Sequence, residues 1–141
     1  MTVAANVERH LREIASRMRG AVEVGFLEDE VYPDGTPVAA VAYWNEFGTS
    51  TIPSRPFFRT MIAKESPSWP AKVASLAKST GYDSSKVLAL MGNEIADALK
   101  ESINEWTEPP NAESTIKRKG FNKPLTDTSK MREAPSYRVI R

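Results

Sequence analysis

The sequence predicts an α+β fold in which a small antiparallel sheet packs against several helices within a single domain. Apolar residues recur every three or four positions in several segments, as in helices, and alternate with other residues in two short ones, as in strands. The two kinds of segment do not alternate as they would in a wound parallel sheet. At 141 residues and 40% apolar composition, residues 1–141 have the size of one domain.

The N-terminal segment predicts an amphipathic helix that ends at Gly20. Charged residues separate its apolar positions, which follow steps of three and four. These positions are Val3, Val7, Leu11, Ile14 and Met18. Residues 21–28 then alternate apolar and other side chains, which predicts a strand. The acidic residues and the lack of a continuous apolar run predict neither a leader peptide nor a membrane span, so we expect a soluble protein made in the cytosol.

Glycine and proline divide the middle of the chain. Residues 38–47 predict a short helix, and Gly48 suits the position just past its end. Pro53 and Pro56 keep the next residues extended, so a second helix starts near Phe57. Two further prolines, at positions 67 and 70, predict a kink or a break after it.

Residues 83–106 carry the most regular helical pattern of the chain, with Asp83 or Ser84 as the cap. One face of this helix holds Val87 or Leu88, Met91, Ile95, Leu99 and Ile103. Near the C-terminus, Thr126 or Asp127 could cap a single helical turn that reaches Arg132. Residues 136–140 then predict a closing strand.

The composition excludes several classes of active site. The chain has no cysteine, so it has neither a disulfide nor a thiolate site, and its single histidine, His10, cannot build a histidine-rich metal site. A Ser-His-Asp hydrolase site is equally hard to assemble. Glycine-rich phosphate motifs are missing, and the acidic run at residues 28–30 lacks the ligand spacing of a calcium loop. We therefore expect no enzyme activity, no cofactor and no metal.

The basic residues are concentrated near the C-terminus, although the formal net charge is only +1. Lys117, Arg118 and Lys119 lie beside Phe121 and could contact phosphate, with the ring available for stacking. A nucleic-acid-binding module built on this segment is the alternative to a structural role. Residues 117–132 have few apolar anchors, so we expect them to be mobile in the free protein and ordered on assembly.

Two segments together resemble a known family. They read "YPDGTPVAAVAYWNEFGTSTIPSRPFFRTMI" and, some sixty residues later, "STIKRKGFNKPLTDTSKMREAPSYRVI". The pair resembles the tail-completion or head-tail joining proteins of tailed bacteriophages and prophages. The first segment matches through Asn45, Glu46, Phe47, Gly48, Thr49, Pro53, Arg55, Pro56, Phe57 and Arg59. The second matches through Thr115, Lys117, Pro124, Leu125, Asp127, Thr128, Tyr137 and Val139, and departs at Ser129, Met131 and Ala134.

The resemblance implies a structural virion protein at the neck or the head-proximal end of the tail. Such a protein would assemble with itself into a ring, a hexamer or a dodecamer, that completes the tail and joins it to the head. Its neighbours would be head-connector or portal-side proteins and tail-terminator or tail-tube proteins. Passive contact with viral DNA would be possible and a membrane would not be involved. The protein would occupy the host cytoplasm during assembly and the virion afterwards.

The first matched segment also has a physical interpretation. We expect an elbow in which Phe47, Phe57 and Phe58 bury the corner and Glu46 meets Arg55 across it. The elbow either serves folding alone or presents Trp44 or Arg59 to a neighbouring subunit, since aromatic residues and arginine are enriched at interface hot spots. Both roles are compatible. The candidate site residues of this segment are Trp44, Glu46, Phe47, Gly48, Arg55, Pro56, Phe57 and Arg59, and those of the second are Leu125, Asp127 and Thr128.

Overall fold

The described part of the chain is a two-stranded sheet packed against helices. The computed structural model describes residues 2–27, 29–106 and 130–140. The elements are α1 (Val3–Arg17), β1 (Ala21–Gly25), α2 (Val38–Phe47), α3 (Phe57–Glu65), α4 (Trp69–Ser79), α5 (Ser84–Glu105), α6 (Lys130–Glu133) and β2 (Ser136–Ile140). A 3-10 turn, Ser66–Ser68, separates α3 from α4, which is the break that the prolines predict. The predicted α+β class is confirmed.

The sheet joins the two ends of the domain. Strands β1 and β2 pair antiparallel, with Ala21 opposite Ile140 and Gly25 opposite Ser136. Helix α5 packs against both strands. A side chain at Gly92 of α5 would come within 2.7 Å of the Tyr137 ring and 2.8 Å of Val22 Cγ2. The glycine therefore lets the side chains of both strands lie directly on the helix.

The hydrophobic core lies between α5 and the helices on either side of it. Phe57, Leu99 and Ile103 are completely buried in the main cluster. A second cluster is formed by Ala77, Val87 and Met91, with partly buried residues of α4 packed against it. The predicted apolar face of α5 is confirmed, and Asp83 is its cap, because the carboxylate accepts a hydrogen bond from the Lys86 amide at 3.2 Å.

The C-terminal predictions are tested only in part. Residues 130–132 of the segment that we expect to be mobile lie in α6, where Met131 is packed in the core, and the ordering of the segment on assembly stays a prediction. The remaining candidates lie outside the described residues, namely Lys117, Arg118, Lys119, Leu125, Asp127 and Thr128.

Within the described ranges, no helix combines the length and apolarity needed to cross a membrane.

Candidate functional site

The corner between α2 and α3 holds most of the candidate residues, and its backbone turns sharply at Gly48. This residue has φ 78° and ψ 167°, a conformation that is essentially restricted to glycine. A Cβ here would lie 3.0 Å from the Ser54 amide nitrogen and 3.1 Å from the Ile52 carbonyl oxygen. The Gly48 amide also donates to the Trp44 carbonyl at 2.7 Å, which closes the last turn of α2.

The connector between the helices is held by a local hydrogen-bond network. The Thr49 hydroxyl accepts from the amides of Thr51 and Ile52, at 3.2 and 3.0 Å. The Thr49 backbone amide donates to the Ile52 carbonyl at 2.8 Å. The Ser54 hydroxyl then donates to the Glu46 carbonyl at 2.8 Å, which ties the connector back to α2. These hydrogen bonds fold the connector on itself and hold it against the end of α2.

Glu46 is the central polar residue of the corner. It is only 5% exposed, and its carboxylate accepts from the Phe58 amide at 2.9 Å and from the Arg59 amide at 3.0 Å. Both donors belong to the first turn of α3, where backbone amides lack helical partners. The carboxylate of α2 thus caps the N-terminus of α3, and its negative charge also favours the positive end of the helix dipole.

The sequence contains the reason that α3 needs this external cap. Pro56 occupies its N-cap position and provides no side-chain acceptor for the first turn. The acceptor comes instead from Glu46, which lies outside the helix. The sequence analysis selected Glu46 but missed this capping role, for which the proline at the helix start was the available signal.

The ion pair at the corner joins Glu46 to Arg59. Arg59 Nε lies 2.8 Å from Glu46 Oε1, and Arg59 Nη2 donates to the Glu46 carbonyl at 3.0 Å. The predicted pairing of Glu46 with Arg55 is therefore wrong. Because α3 starts immediately after Pro56, its first-turn side chain Arg59 faces the end of α2 and takes that position.

Arg55 is a buried residue that binds the backbone of α2. Its side chain lies within the protein, and burial lowers the pKa of its guanidinium from the ordinary value. The Arg55 amide donates to the Asn45 carbonyl at 2.6 Å, and Nη1 lies 3.5 Å from Asn45 Oδ1. Asn45 in turn donates to the Val41 carbonyl at 2.9 Å. Arg55 therefore contributes to the interior of the corner.

Phe57 anchors the corner in the core. Its ring is completely buried and meets Phe26 edge-on, with centroids 6.1 Å apart. Its carbonyl accepts from the Ser102 hydroxyl at 2.7 Å, which fixes the start of α3 to α5. Phe58 is partly buried beside it. The predicted burial is confirmed for Phe57 and holds only in part for Phe58.

The outer face of the corner is an aromatic patch formed by Tyr43, Trp44 and Phe47. These side chains are 62%, 41% and 53% exposed. The predicted burial of Phe47 is therefore wrong: its ring packs against Tyr43 on the surface, with centroids 4.8 Å apart. The Arg59 guanidinium also lies 4.8 Å from the centre of the Phe47 ring, a cation–π arrangement. Tyr43 was missed by the sequence analysis, although its spacing of four from Phe47 places both on one helix face.

The outer surface of the corner carries groups that are suited to contact with another protein surface. Aromatic rings and a guanidinium lie together above a polar network that fixes their backbone. In the part of the chain that the structure describes, no group of three or more histidine or acidic residues could hold a metal ion.

Comparison with known proteins identifies no relative. No family model, no curated protein and no solved structure matches the chain.

Proposed function

We propose that this protein is a structural, non-enzymatic component of a tailed-phage particle, which forms a ring at the neck or the head-proximal end of the tail. The two-part sequence resemblance supports this role. The structural observation that carries the proposal is the aromatic patch of Tyr43, Trp44 and Phe47, together with Arg59, on the outside of the α2–α3 corner. Large aromatic side chains and arginine dominate the binding energy of many protein interfaces.

The patch is suited to association because its backbone is already fixed. Glu46 caps α3 and pairs with Arg59, and Gly48 sets the direction of the chain after α2. The backbone that carries these side chains loses little further freedom when a partner binds, which favours affinity. The patch thus combines exposed apolar area with a rigid support.

A ring requires two different complementary faces on each subunit. Contacts of this head-to-tail kind close into a cycle when the rotation between subunits divides a full turn. We assign the aromatic patch to one of these faces. A hexamer is the expected ring by the family resemblance, with a dodecamer as the alternative, and head-connector and tail-terminator or tail-tube proteins as neighbours.

The assembly is tested by measuring the mass of the purified protein over a range of concentrations. We expect a discrete cyclic oligomer, alone or with a neighbouring tail protein. Trp44→Ala with Phe47→Ala should shift the population to monomer with only a small change in melting temperature. Leu90→Ala is the matched control, because Leu90 is an exposed apolar residue on α5 away from the corner. A strict monomer that is also absent from purified particles would disprove the proposal.

The neighbouring genes and the presence of this chain in purified particles provide an independent test. The coding sequence should lie between the genes for head-connector and major tail proteins. Cryo-electron microscopy of purified particles should show density for this chain as a ring between head and tail. A position in a metabolic operon, with no tail genes nearby, would contradict the assignment to a virion.

A further inference from the structure

The two-stranded sheet leaves one edge of each strand unpaired. Strands β1 and β2 pair with each other, and in the described residues no third strand joins them. In an antiparallel pair, about half of the backbone amides and carbonyls of each strand point away from its partner. Sheets usually have about four to six strands, and an unpaired edge is a ready template for another one. Each copy of the domain therefore offers two open edges.

The two faces of the sheet differ in chemistry. Val22 and Tyr137 lie against α5 at Gly92. Because side chains alternate along a strand, the central residues of the two strands, Glu23 and Arg138, lie on the opposite face. They stand directly opposite each other and form an ion pair, with side chains that are 44% and 63% exposed. Tyr137 is also 39% exposed, so β2 leaves apolar surface in solvent beside an exposed charge.

The described elements of one copy cannot fill its own open edges. These edges lie on opposite sides of the sheet, and two strands are too few to curl into a closed barrel. Helix α5 covers one face of both strands. A helix uses its backbone amides internally and cannot extend a sheet. Among the described elements, a strand that extends the sheet can therefore come only from a second chain.

Local charge selects the next copy of this chain, in one orientation. In the register that β1 and β2 already have, the β2 edge of one copy against the β1 edge of the next brings Arg138 opposite Glu23. Two β2 edges paired about a two-fold axis would oppose two Arg138 side chains, and two β1 edges would oppose two Glu23 side chains. Opposite charges stabilise directly opposed positions, and like charges destabilise them. Each edge is thus complementary to the other edge and not to itself.

The edge of β1 is continuous with the aromatic patch. Phe26 directly follows β1 and lines a cavity of about 190 Å³ together with Tyr43 and Phe47 of the patch. The β1 edge and the patch therefore form one face of the subunit, and the β2 edge belongs to another. A strand of five residues is about 17 Å long. Its pairing supplies only part of the area of about 1,200 Å² or more that stable interfaces bury, and the patch adds to it.

We propose that the β2 edge of one copy pairs antiparallel with the β1 edge of the next copy, so that their sheets join into one. The contact is heterologous, since the two edges are different surfaces, and it repeats from copy to copy. The register keeps the apolar side chains of both sheets on the side of α5. This inference deepens the proposed ring and rests on it only for closure into a cycle.

Cross-linking tests the strand pairing, because the chain has no cysteine of its own. Two single-cysteine proteins, Ala21→Cys and Ile140→Cys, are mixed under mild oxidation. Both positions are exposed, and they are opposite each other in the register. A disulfide between the two proteins can only be intermolecular, and we expect a covalent dimer in the mixture and little in either protein alone. Leu90→Cys, at an exposed position of α5, is the matched control and should cross-link with neither.

Charge exchange tests the same contact while the ion pair within each copy stays broken. Glu23→Arg makes both strand centres basic, and Arg138→Glu makes both acidic. Each variant alone should associate about tenfold more weakly than the unaltered chain at low salt. A mixture of the two variants restores opposite charges only between copies, so assembly should return. Glu8→Arg and Arg12→Glu alter an exposed ion pair on α1 and should leave association unchanged, alone or mixed.

Other outcomes overturn the pairing. Strong cross-linking of Arg138→Cys with itself, or of Glu23→Cys with itself, would show that identical edges pair. A strict monomer in which every β2 amide resists hydrogen exchange would show that the same chain covers the edge. Rings without the mixed cross-link would disprove the pairing and leave the ring standing, whereas a mixed cross-link in open chains without rings would disprove the ring alone. Charge variants that stay dissociated when mixed would also contradict the pairing.

Discussion

Glu46 Oε1 lies 2.8 Å from Arg59 Nε while the same carboxylate accepts the Phe58 and Arg59 amides. The Glu46 side chain is buried and that of Arg59 is largely exposed. The pair is thus asymmetric: one partner has left water and has taken up backbone donors, and the other lies at the surface over Phe47. This arrangement ties a helix cap to the aromatic patch.

The first prediction separates the cap from the ion pair. Glu46→Ala leaves the first-turn amides of α3 without an acceptor, and the free energy of unfolding should fall by about 2 to 4 kcal/mol. Arg59→Ala should cost about 1 kcal/mol or less, because that charge is exposed. Denaturant titrations of both variants measure the difference. Equal losses would mean that the ion pair, and not the cap, holds the corner.

The second prediction concerns the core anchor of the corner. Phe57→Ala removes a completely buried ring, and stability should fall by about 3 to 5 kcal/mol. Such a loss is a large share of the stability of an ordinary domain. Phe47→Ala is the matched control and should cost less than about 1 kcal/mol, because that ring is half exposed. An unchanged thermal melt for Phe57→Ala would contradict its placement.

The third prediction tests the turn after α2. Gly48→Ala introduces strain and a Cβ close to the Ser54 and Ile52 backbone, and we expect a loss of about 1 to 3 kcal/mol. Gly81 also has a positive φ, 68°, but a Cβ there would meet no atom within 4 Å. Gly81→Ala should therefore be milder. Similar melting temperatures for the two variants would argue that crowding at Gly48 has no effect.

The fourth prediction addresses the contact of α5 with the sheet. In a helix interior, alanine is normally more favourable than glycine by about 1 kcal/mol. At Gly92 the added methyl group would overlap the Tyr137 ring and Val22, so Gly92→Ala should destabilise the protein by about 1 to 3 kcal/mol. A double-mutant cycle with Tyr137→Ala should show that removing the ring relieves part of this cost. Stabilisation by Gly92→Ala alone would refute the close packing.

The fifth prediction concerns the basic run of residues 117–119, which lies outside the described residues. Replacing Lys117, Arg118 and Lys119 together by alanine should leave the melting temperature unchanged. If these residues contact DNA in the ring, duplex binding should weaken and its salt dependence should become shallower. If they contact a neighbouring subunit, the oligomer should be lost instead. Ordinary assembly and unchanged DNA binding would show that the run is only a solvated surface.

The sequence determined most of the local structure. Apolar periodicity and the positions of glycine and proline were sufficient for α1, α2, α5 and both strands, because these signals act within a few residues of the chain. The cap of α5 by Asp83 and the turn at Gly48 were predictable for the same reason. The buried positions of α5 followed from one helical repeat, and the α+β class followed from the order of these segments.

Tertiary structure decided which side chains meet and which stay exposed. The direction of α3 after Pro56 brought Arg59, and not Arg55, to Glu46, and no local pattern specifies that direction. Periodicity marks α1 and the face of Phe47 as apolar, but it does not state what covers them, because burial depends on elements distant in the chain. The pairing of β1 with β2 exists only once the two ends of the chain have met on α5.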